Sequence, residues 1–174
     1  MTAAPATPAE AGAALRALHQ AARGYAGRLR SFDPRPDAIG IADVLRGEAG
    51  RVLSAAAERI EVPDLPAQPV HGDAHLGNVV SGGLWLDFDE ASLGPPEWDL
   101  ACLRHCFAFF GELVDETAAA LAAYGPHDEA AVAALGPLVV LFTGAWGATS
   151  QLHGKPIGPR TQRRLDWLRE RYLA

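Results

Sequence analysis

The sequence predicts a mainly α-helical protein with a small β-hairpin, organised as a single domain over residues 1–174. Apolar residues recur at helical spacing through most of the chain, which is the main signal for helices. In the middle, two short apolar runs, Val79-Val80 and Leu84-Trp85-Leu86, are separated by Ser81-Gly82-Gly83. Short apolar runs joined by a glycine-containing turn are typical of an antiparallel hairpin.

The first third of the chain predicts two helices. The stretch Thr7-Pro8-Ala9-Glu10 combines a capping threonine, a proline at the first helical position and a glutamate that completes a capping box. The helix that it opens is expected to cover residues 8–30. Asp33-Pro34-Arg35-Pro36 is expected to break it, because proline does not continue a helix. Apolar spacing then predicts a second helix over residues 40–60.

The rest of the chain is predicted to contain a loop with the hairpin, over residues 69–89, and further helices over residues 97–173. Glycine and proline separate the helical segments in this last region. The helices are expected at Trp98–Phe110, Leu113–Tyr124, Ala130–Leu152 and about Arg160–Leu173.

Composition and charge exclude several classes of protein. Apolar residues make up 49% of the chain and charged residues 21%, as in a folded soluble protein. The net charge is −6 without a basic stripe, so nucleic acid is not an expected partner. No apolar run is expected to reach the ~20 residues of a membrane helix. Residues 1–5 do not resemble a signal peptide, and Cys102 and Cys106 suggest no disulfide framework, so a cytoplasmic location is expected.

Polar residues stand at ordered spacing around the predicted hairpin. His71-Gly72-Asp73 comes first, Asn78 follows five residues after Asp73, and Asp87 lies nine residues further on. Phosphoryl transfer needs a carboxylate to accept or orient the proton of the attacking hydroxyl, and Asp73 is the candidate for that role. It also needs magnesium, which prefers hard oxygen ligands, and Asn78 and Asp87 offer such oxygens.

This stretch, from His71 to Ala101, resembles the aminoglycoside phosphotransferase and choline kinase group of protein-kinase-like enzymes. That group has a His-Gly-Asp loop, an Asn five residues after the Asp, and a metal-binding Asp after a short hairpin. Its next element is an Asp-Leu-Ala-type helix start, which is Trp98-Asp99-Leu100-Ala101 here. The segment Leu15-Arg16-Ala17-Leu18-His19 also resembles the Leu-x-x-Leu-His helix that opens the helical lobe of the family.

The resemblance implies an ATP-dependent, or GTP-dependent, phosphotransferase that acts on a small-molecule hydroxyl, such as that of an aminoglycoside, choline or a sugar. It implies Asp73 as the catalytic base. It also implies Asn78 and Asp87 as ligands of Mg²⁺, through which they would bind the phosphates of the nucleotide. His71 and Asp99 are implied to support the loop that holds Asp73.

A kinase-like enzyme also needs a Gly-rich loop over the phosphates and a strand lysine. The first 70 residues contain no such loop, and the single lysine is Lys155. The chain is therefore expected to correspond to a kinase-like C-terminal lobe, with the N-terminal nucleotide-binding lobe absent or supplied by a partner chain. An exposed apolar face is expected beside the His-Gly-Asp loop, where that lobe would dock.

Two alternatives compete with this interpretation. The chain could be a non-catalytic remnant or binding module of the same fold. It could also be a metal-dependent hydrolase that uses His71, Asp73 and His75, since histidine and aspartate suit zinc. The hydrolase alternative leaves Asn78 and Asp87 without a role.

Overall fold

The computed structural model describes residues 4–45 and 47–173, and within these ranges it contains seven α-helices and five short β-strands. Residues 1–3, on which the expectation of no signal peptide partly rests, lie outside the described residues. The mainly helical fold with a small hairpin is confirmed. The helices are α1 (Pro8–Ala22), α2 (Pro34–Val44), α3 (Glu48–Arg59), α4 (Pro96–Ala108), α5 (Val114–Tyr124), α6 (Glu129–Ala148) and α7 (Pro159–Tyr172). The strands are β1 (Arg30–Ser31), β2 (Gln68–Val70), β3 (Val79–Val80), β4 (Leu84–Trp85) and β5 (Ser92–Gly94).

The chain forms two compact units. The first unit consists of Met1–Phe32 and Pro63–Leu135, and the second consists of Asp33–Val62 and Gly136–Ala174. Helix α6 begins in the first unit and continues into the second. The single-domain organisation expected for residues 1–174 stays a prediction.

Helix α1 of the first unit begins with the predicted capping box. The Thr7 Oγ1 accepts a hydrogen bond from the Glu10 amide at 3.2 Å, and the Glu10 carboxylate accepts one from the Thr7 amide at 2.7 Å. The predicted extension to residue 30 is wrong, because α1 ends at Ala22. Gly24 and Gly27 follow closely, and each glycine disfavours helix by about 1 kcal/mol relative to alanine.

Helix α1 packs against α5 at very short range. A Cβ atom on Gly12 would lie 1.9 Å from the carbonyl oxygen of Ala120, so only glycine allows this approach. Leu15 and Ala11 of α1 are fully buried in the same unit. This contact fixes the position of the helix that carries His19.

The first unit also contains a three-stranded sheet with the order β1-β5-β2. Strand β1 pairs parallel with β5, and β2 pairs antiparallel with β5. The sequence analysis predicts strands only in the hairpin, so this sheet was missed. The strands are only two or three residues long, which is too short for an alternating pattern to be recognised in the sequence.

The predicted hairpin is confirmed, with Val79 opposite Trp85 and Val80 opposite Leu84 in antiparallel strands β3 and β4. Its turn contains Gly82 at a φ of 82°, a conformation that glycine adopts at little cost. The hairpin continues one step further, because the Leu86 amide donates a hydrogen bond to the Asn78 carbonyl at 2.8 Å.

The helix predicted over residues 40–60 is two helices of the second unit, α2 and α3. Asp33 and Pro34, where a break was expected, instead begin α2: the Asp33 side chain accepts from the Arg35 amide at 3.0 Å. Proline fits the first helical position, because its missing N–H has no partner there. Gly47, at a φ of 88°, separates α2 from α3. Helix α3 packs against α2 and α7 through buried side chains, which include Val52, Leu53, Ala56, Leu165 and Leu168.

Helix α6 is continued by the 3-10 helix Thr149–His153. Together they form a 25-residue stretch whose most apolar 18-residue window has a mean hydropathy of 1.7, so the stretch is long and apolar enough to cross a membrane. The expectation that no apolar stretch has this length is wrong. Of this window, 61% is buried inside the protein, and a buried core helix passes the same test of length and composition. The absence of a membrane partner stays a prediction.

Candidate active site

The loop that begins at His71 leaves the end of strand β2 and is held against the segment before β5. Gly72 has a φ of 91°, and a Cβ atom there would lie 1.9 Å from the Glu90 carbonyl oxygen. Any other residue would both strain the backbone and collide with Glu90. The glycine therefore lets the loop turn sharply between His71 and Asp73.

Asp99, in the first turn of α4, anchors this loop from the protein interior. Its side chain is fully buried. The Asp99 Oδ2 accepts from the His71 amide at 2.7 Å, and the Oδ1 accepts from the Gly72 amide at 2.8 Å. The neighbouring Trp98 Nε1 donates to the Gly72 carbonyl at 2.7 Å. A buried carboxylate is costly without such partners, and this is the placement that the sequence analysis expects for Asp99.

A second group of contacts ties Asp99 to helices α1 and α5. The His19 Nε2 lies 2.8 Å from the Asp99 Oδ2, and the His19 Nδ1 lies 2.9 Å from the Tyr124 hydroxyl. Burial raises the pKa of the Tyr124 hydroxyl, so that it stays a neutral hydrogen-bonding group. His19 appeared in the sequence only as part of a family helix. Tyr124 was missed, because no motif surrounds it.

His71 joins the loop to the hairpin. Its ring is fully buried, and its Nε2 lies 2.8 Å from the Leu86 carbonyl oxygen. Since a carbonyl only accepts, Nε2 carries the proton, and Nδ1 is free to accept from the Asp73 amide at 3.3 Å. The ring also lies 4.5 Å, centre to centre, from that of Phe88. Both nitrogens are thus occupied, so His71 is unavailable as a metal ligand and the hydrolase alternative loses a member of its site.

The structure brings Asp73 and Asn78 into direct contact. The Asn78 Nδ2 donates to the Asp73 carbonyl at 3.0 Å and lies 3.4 Å from the Asp73 Oδ2. The Asp73 side chain is 25% exposed, so it is accessible to a small molecule. With its NH₂ group directed at Asp73, Asn78 has its amide oxygen left as a potential metal ligand.

Asp87 follows the hairpin directly and lies one residue beyond the pair formed by Asn78 and Leu86. It is exposed and has a φ of 62°, a left-handed conformation that aspartate adopts more readily than most residues. No hydrogen bond or ion pair occupies its carboxylate within the described part of the chain. Two hard oxygen donors, from Asn78 and Asp87, suit Mg²⁺, which usually keeps several waters and binds substrate phosphates as well. Among the described residues, no three His, Cys, Asp or Glu side chains form a metal-binding cluster.

An apolar cleft of about 600 Å³ opens beside His71 in the first unit. Two of its aromatic side chains are largely exposed, Tyr25 at 55% and Phe88 at 45%. Such an exposed apolar surface beside the loop is what the sequence analysis expects. The residues that line this apolar cleft include Leu18, Ala22, Tyr25, Leu29, Val70 and Phe88.

Residues 2–135 match the sequence profile of the phosphotransferase enzyme family. This match covers most of the chain, and the chain therefore belongs to that family. A search of curated proteins finds no match.

Solved structures show the same kinase-like fold. Choline kinase LicA from Streptococcus pneumoniae is similar with a TM-score of 0.69 and 15% identity, over 97% of this chain and 66% of that chain. A choline/ethanolamine kinase family protein from Mesorhizobium loti has a TM-score of 0.61 and 22% identity, over 94% and 61%. Spectinomycin phosphotransferase APH(9)-Ia, solved with ADP and spectinomycin, has a TM-score of 0.60 and 16% identity, over 98% and 65%. The chain thus spans slightly less than two thirds of the length of these structures.

Proposed function

We propose that this chain carries the catalytic loop of a phosphotransferase that moves a phosphoryl group from ATP, or GTP, to a hydroxyl of a small molecule. The observation that carries the proposal is the contact between Asp73 and Asn78, in a loop whose backbone is bonded to the buried Asp99. Family membership supports the reaction class. The acceptor is proposed to be an aminoglycoside-, choline- or sugar-like alcohol.

Asp73 is proposed to be the general base. The hydroxyl oxygen of the acceptor attacks the terminal phosphorus, its proton passes to the Asp73 carboxylate, and the nucleoside diphosphate leaves. The partial exposure of Asp73 supports this role, because the acceptor must reach the carboxylate directly.

Asn78 and Asp87 are proposed to hold Mg²⁺ through an amide oxygen and a carboxylate oxygen. When bound, magnesium neutralises charge on the phosphates of the nucleotide. The exposure of Asp87 and the hairpin pairing that places it one residue beyond the partner of Asn78 support this assignment.

The nucleotide is proposed to be held jointly with a nucleotide-binding lobe, either on the same polypeptide or on a partner chain. Lys155 is the single lysine of the sequence. It follows the loop in the sequence, whereas the phosphate-binding lysine of a kinase lies on a strand that precedes the loop. The apolar cleft beside His71, with the exposed rings of Tyr25 and Phe88, supports docking of such a lobe on this side.

The test joins this chain to a nucleotide-binding lobe and measures phosphoryl transfer from labelled ATP with Mg²⁺ to a panel of choline, spectinomycin and simple sugars. We expect the joined protein to label at least one acceptor. Asp73→Asn should lower that rate by about 10²–10⁴-fold without changing the melting temperature, because the amide keeps the shape but does not accept the proton. Transfer that is unaffected by Asp73→Asn would remove Asp73 from the role of base. A joined protein that labels none of the acceptors would favour the non-catalytic binding module.

A further inference from the structure

The imidazole of His75 has a defined orientation beside the proposed base. His75 caps the 3-10 helix Leu76–Asn78, and its Nδ1 accepts a hydrogen bond from the Gly77 amide at 3.0 Å. A backbone amide only donates, so Nδ1 must be the unprotonated nitrogen. A neutral imidazole carries its proton on the other nitrogen, and the cap therefore places an N–H at Nε2.

That Nε2 faces the carboxylate of Asp73. It lies 3.7 Å from the Asp73 Oδ2, the same oxygen that the Asn78 Nδ2 approaches at 3.4 Å. A separation of 3.7 Å is too long for a hydrogen bond, but such contacts often tighten when a substrate binds. The His75 Nε2 and the Asn78 Nδ2 thus both approach Oδ2 of Asp73. Within residues 4–45 and 47–173, Oδ1 of Asp73 accepts no hydrogen bond.

Two neighbours limit the movement of the His75 ring. A Cβ atom on Gly77 would lie 2.8 Å from the His75 Cε1 and 2.9 Å from its Nδ1, so the ring rests directly on the glycine. The ring of Phe107 meets it edge-on at 5.8 Å between centres. The imidazole is thus held in place from two sides.

We propose that His75 is a positioning residue: its Nε2–H orients Oδ2 of Asp73 and leaves Oδ1 to receive the proton of the acceptor hydroxyl. This inference rests on the proposed function of Asp73 as the base. It is distinct from the hydrolase alternative, in which His75 would be a metal ligand.

The first test measures the tautomer of His75 in the full chain, from the imidazole nitrogens of ¹⁵N-labelled protein. At about pH 8.5 an ordinary imidazole, with a pKa near 6.5, is neutral. We expect Nε2 to be protonated and Nδ1 not, and we expect the Nε2 resonance to shift in Asp73→Asn. His75→Asn assigns the signal by removing it. A protonated Nδ1 would overturn the proposal, and so would an Nε2 resonance whose chemical shift is unchanged in Asp73→Asn.

The second test is a double-mutant cycle between His75 and Gly77, measured in the protein joined to a nucleotide-binding lobe. His75→Asn keeps the cap, because asparagine accepts from an amide two residues on, but it removes the N–H that faces Asp73. Gly77→Ala keeps the imidazole but displaces it. We expect each variant to lower kcat by about 10- to 100-fold, because a small misplacement of a reacting group lowers the rate by factors of this size. The KM for ATP and the melting temperature should stay unchanged.

The double variant should be no slower than His75→Asn alone, because alanine at position 77 has no ring to displace once His75 is gone. Gly40→Ala is the control, since a Cβ atom there meets nothing within 4 Å. Additive losses, or a wild-type kcat in His75→Asn, would overturn the proposal. Absence of any phosphoryl transfer by the joined protein contradicts the proposed function instead, and the imidazole spectra then decide on His75.

Discussion

The Nε2 atom of His19 lies 2.8 Å from Oδ2 of Asp99, and the two side chains are 2% and 0% exposed. The same carboxylate accepts the amides of His71 and Gly72. A helix near the start of the chain therefore reaches the loop of the proposed base through one buried carboxylate. Residues of α1 and α4 therefore hold the loop from the protein interior, through hydrogen bonds that do not involve the exposed side chains of the site.

Removing the Asp99 carboxylate should destabilise the protein. Asp99→Ala leaves the His71 and Gly72 amides and His19 without their acceptor, and stranding buried partners costs roughly 1–3 kcal/mol. The free energy of unfolding, measured by urea denaturation, tests this. Asp64→Ala is a matched control, because Asp64 is exposed, and its substitution should change the free energy by less than about 0.5 kcal/mol. Equal stability of both variants would contradict an anchoring role for Asp99.

The two residues should also be coupled energetically. His19→Ala removes one partner of the Asp99 carboxylate, so the double variant His19→Ala/Asp99→Ala should lose less stability than the sum of the single variants. Residues in one buried network typically show coupling of about 0.5–3 kcal/mol. Tyr124→Phe removes only the hydroxyl next to His19 and should cost about 0.5–1.5 kcal/mol. Additive losses for His19 and Asp99 would show that their contact contributes nothing.

Gly72 should tolerate no side chain. Gly72→Ala introduces a Cβ atom 1.9 Å from the Glu90 carbonyl oxygen, at a φ of 91°. Gly82→Ala separates the two effects, because Gly82 has a φ of 82° but its Cβ atom would meet nothing within 4 Å. Backbone strain alone costs about 1–3 kcal/mol, so Gly72→Ala should lower the free energy of unfolding clearly more than Gly82→Ala. Similar losses would mean that the loop moves freely away from Glu90.

A surface ion pair makes stability depend on pH. Hydrogen bonding to Arg104, at 2.7 Å between Nη2 and Oε2, lowers the pKa of Glu129 to about 2 from an ordinary value of 4.5. Because the pKa is lower in the folded state, the stabilisation is present above pH 4.5 and is lost as the pH falls toward 2. Glu129→Gln should therefore be less stable than the wild type near pH 6, and the difference should vanish near pH 2. The effect is expected to be small, because the pair is exposed to solvent. Denaturation curves at several pH values test it, and a difference that grows on acidification would contradict the assignment.

The sequence predicted those parts of the fold that have a local signal. The capping box before α1 and the glycine turn of the hairpin lie within a few residues of the structure that they specify. The split between α2 and α3 and the early end of α1 were missed, because apolar spacing continues across the interruptions. The sheet was missed because β1 and β5 are very short and distant in sequence.

The residues of the site likewise divide into those with a local sequence signal and those that only the packing of helices brings together. The motif placed Asp73, Asn78 and Asp87 around a loop and a hairpin, because their spacing is local. The partners of Asp99 were only partly foreseen: His19 lies 80 residues from Asp99 and Tyr124 lies 105 residues from His19. Contacts across such distances depend on how helices pack, and no spacing in the sequence encodes them.

The isolated chain should bind Mg·ATP only weakly. Asn78 and Asp87 offer two ligands, and magnesium depends on phosphates and water for the rest of its shell. No strand lysine precedes the loop, since Lys155 is the single lysine, and the apolar cleft beside His71 stays open. Isothermal titration of the chain with Mg·ATP should therefore show no micromolar site. Micromolar binding that disappears in Asp87→Ala would show that the chain holds the nucleotide by itself, and it would contradict the proposal that a second lobe completes the site.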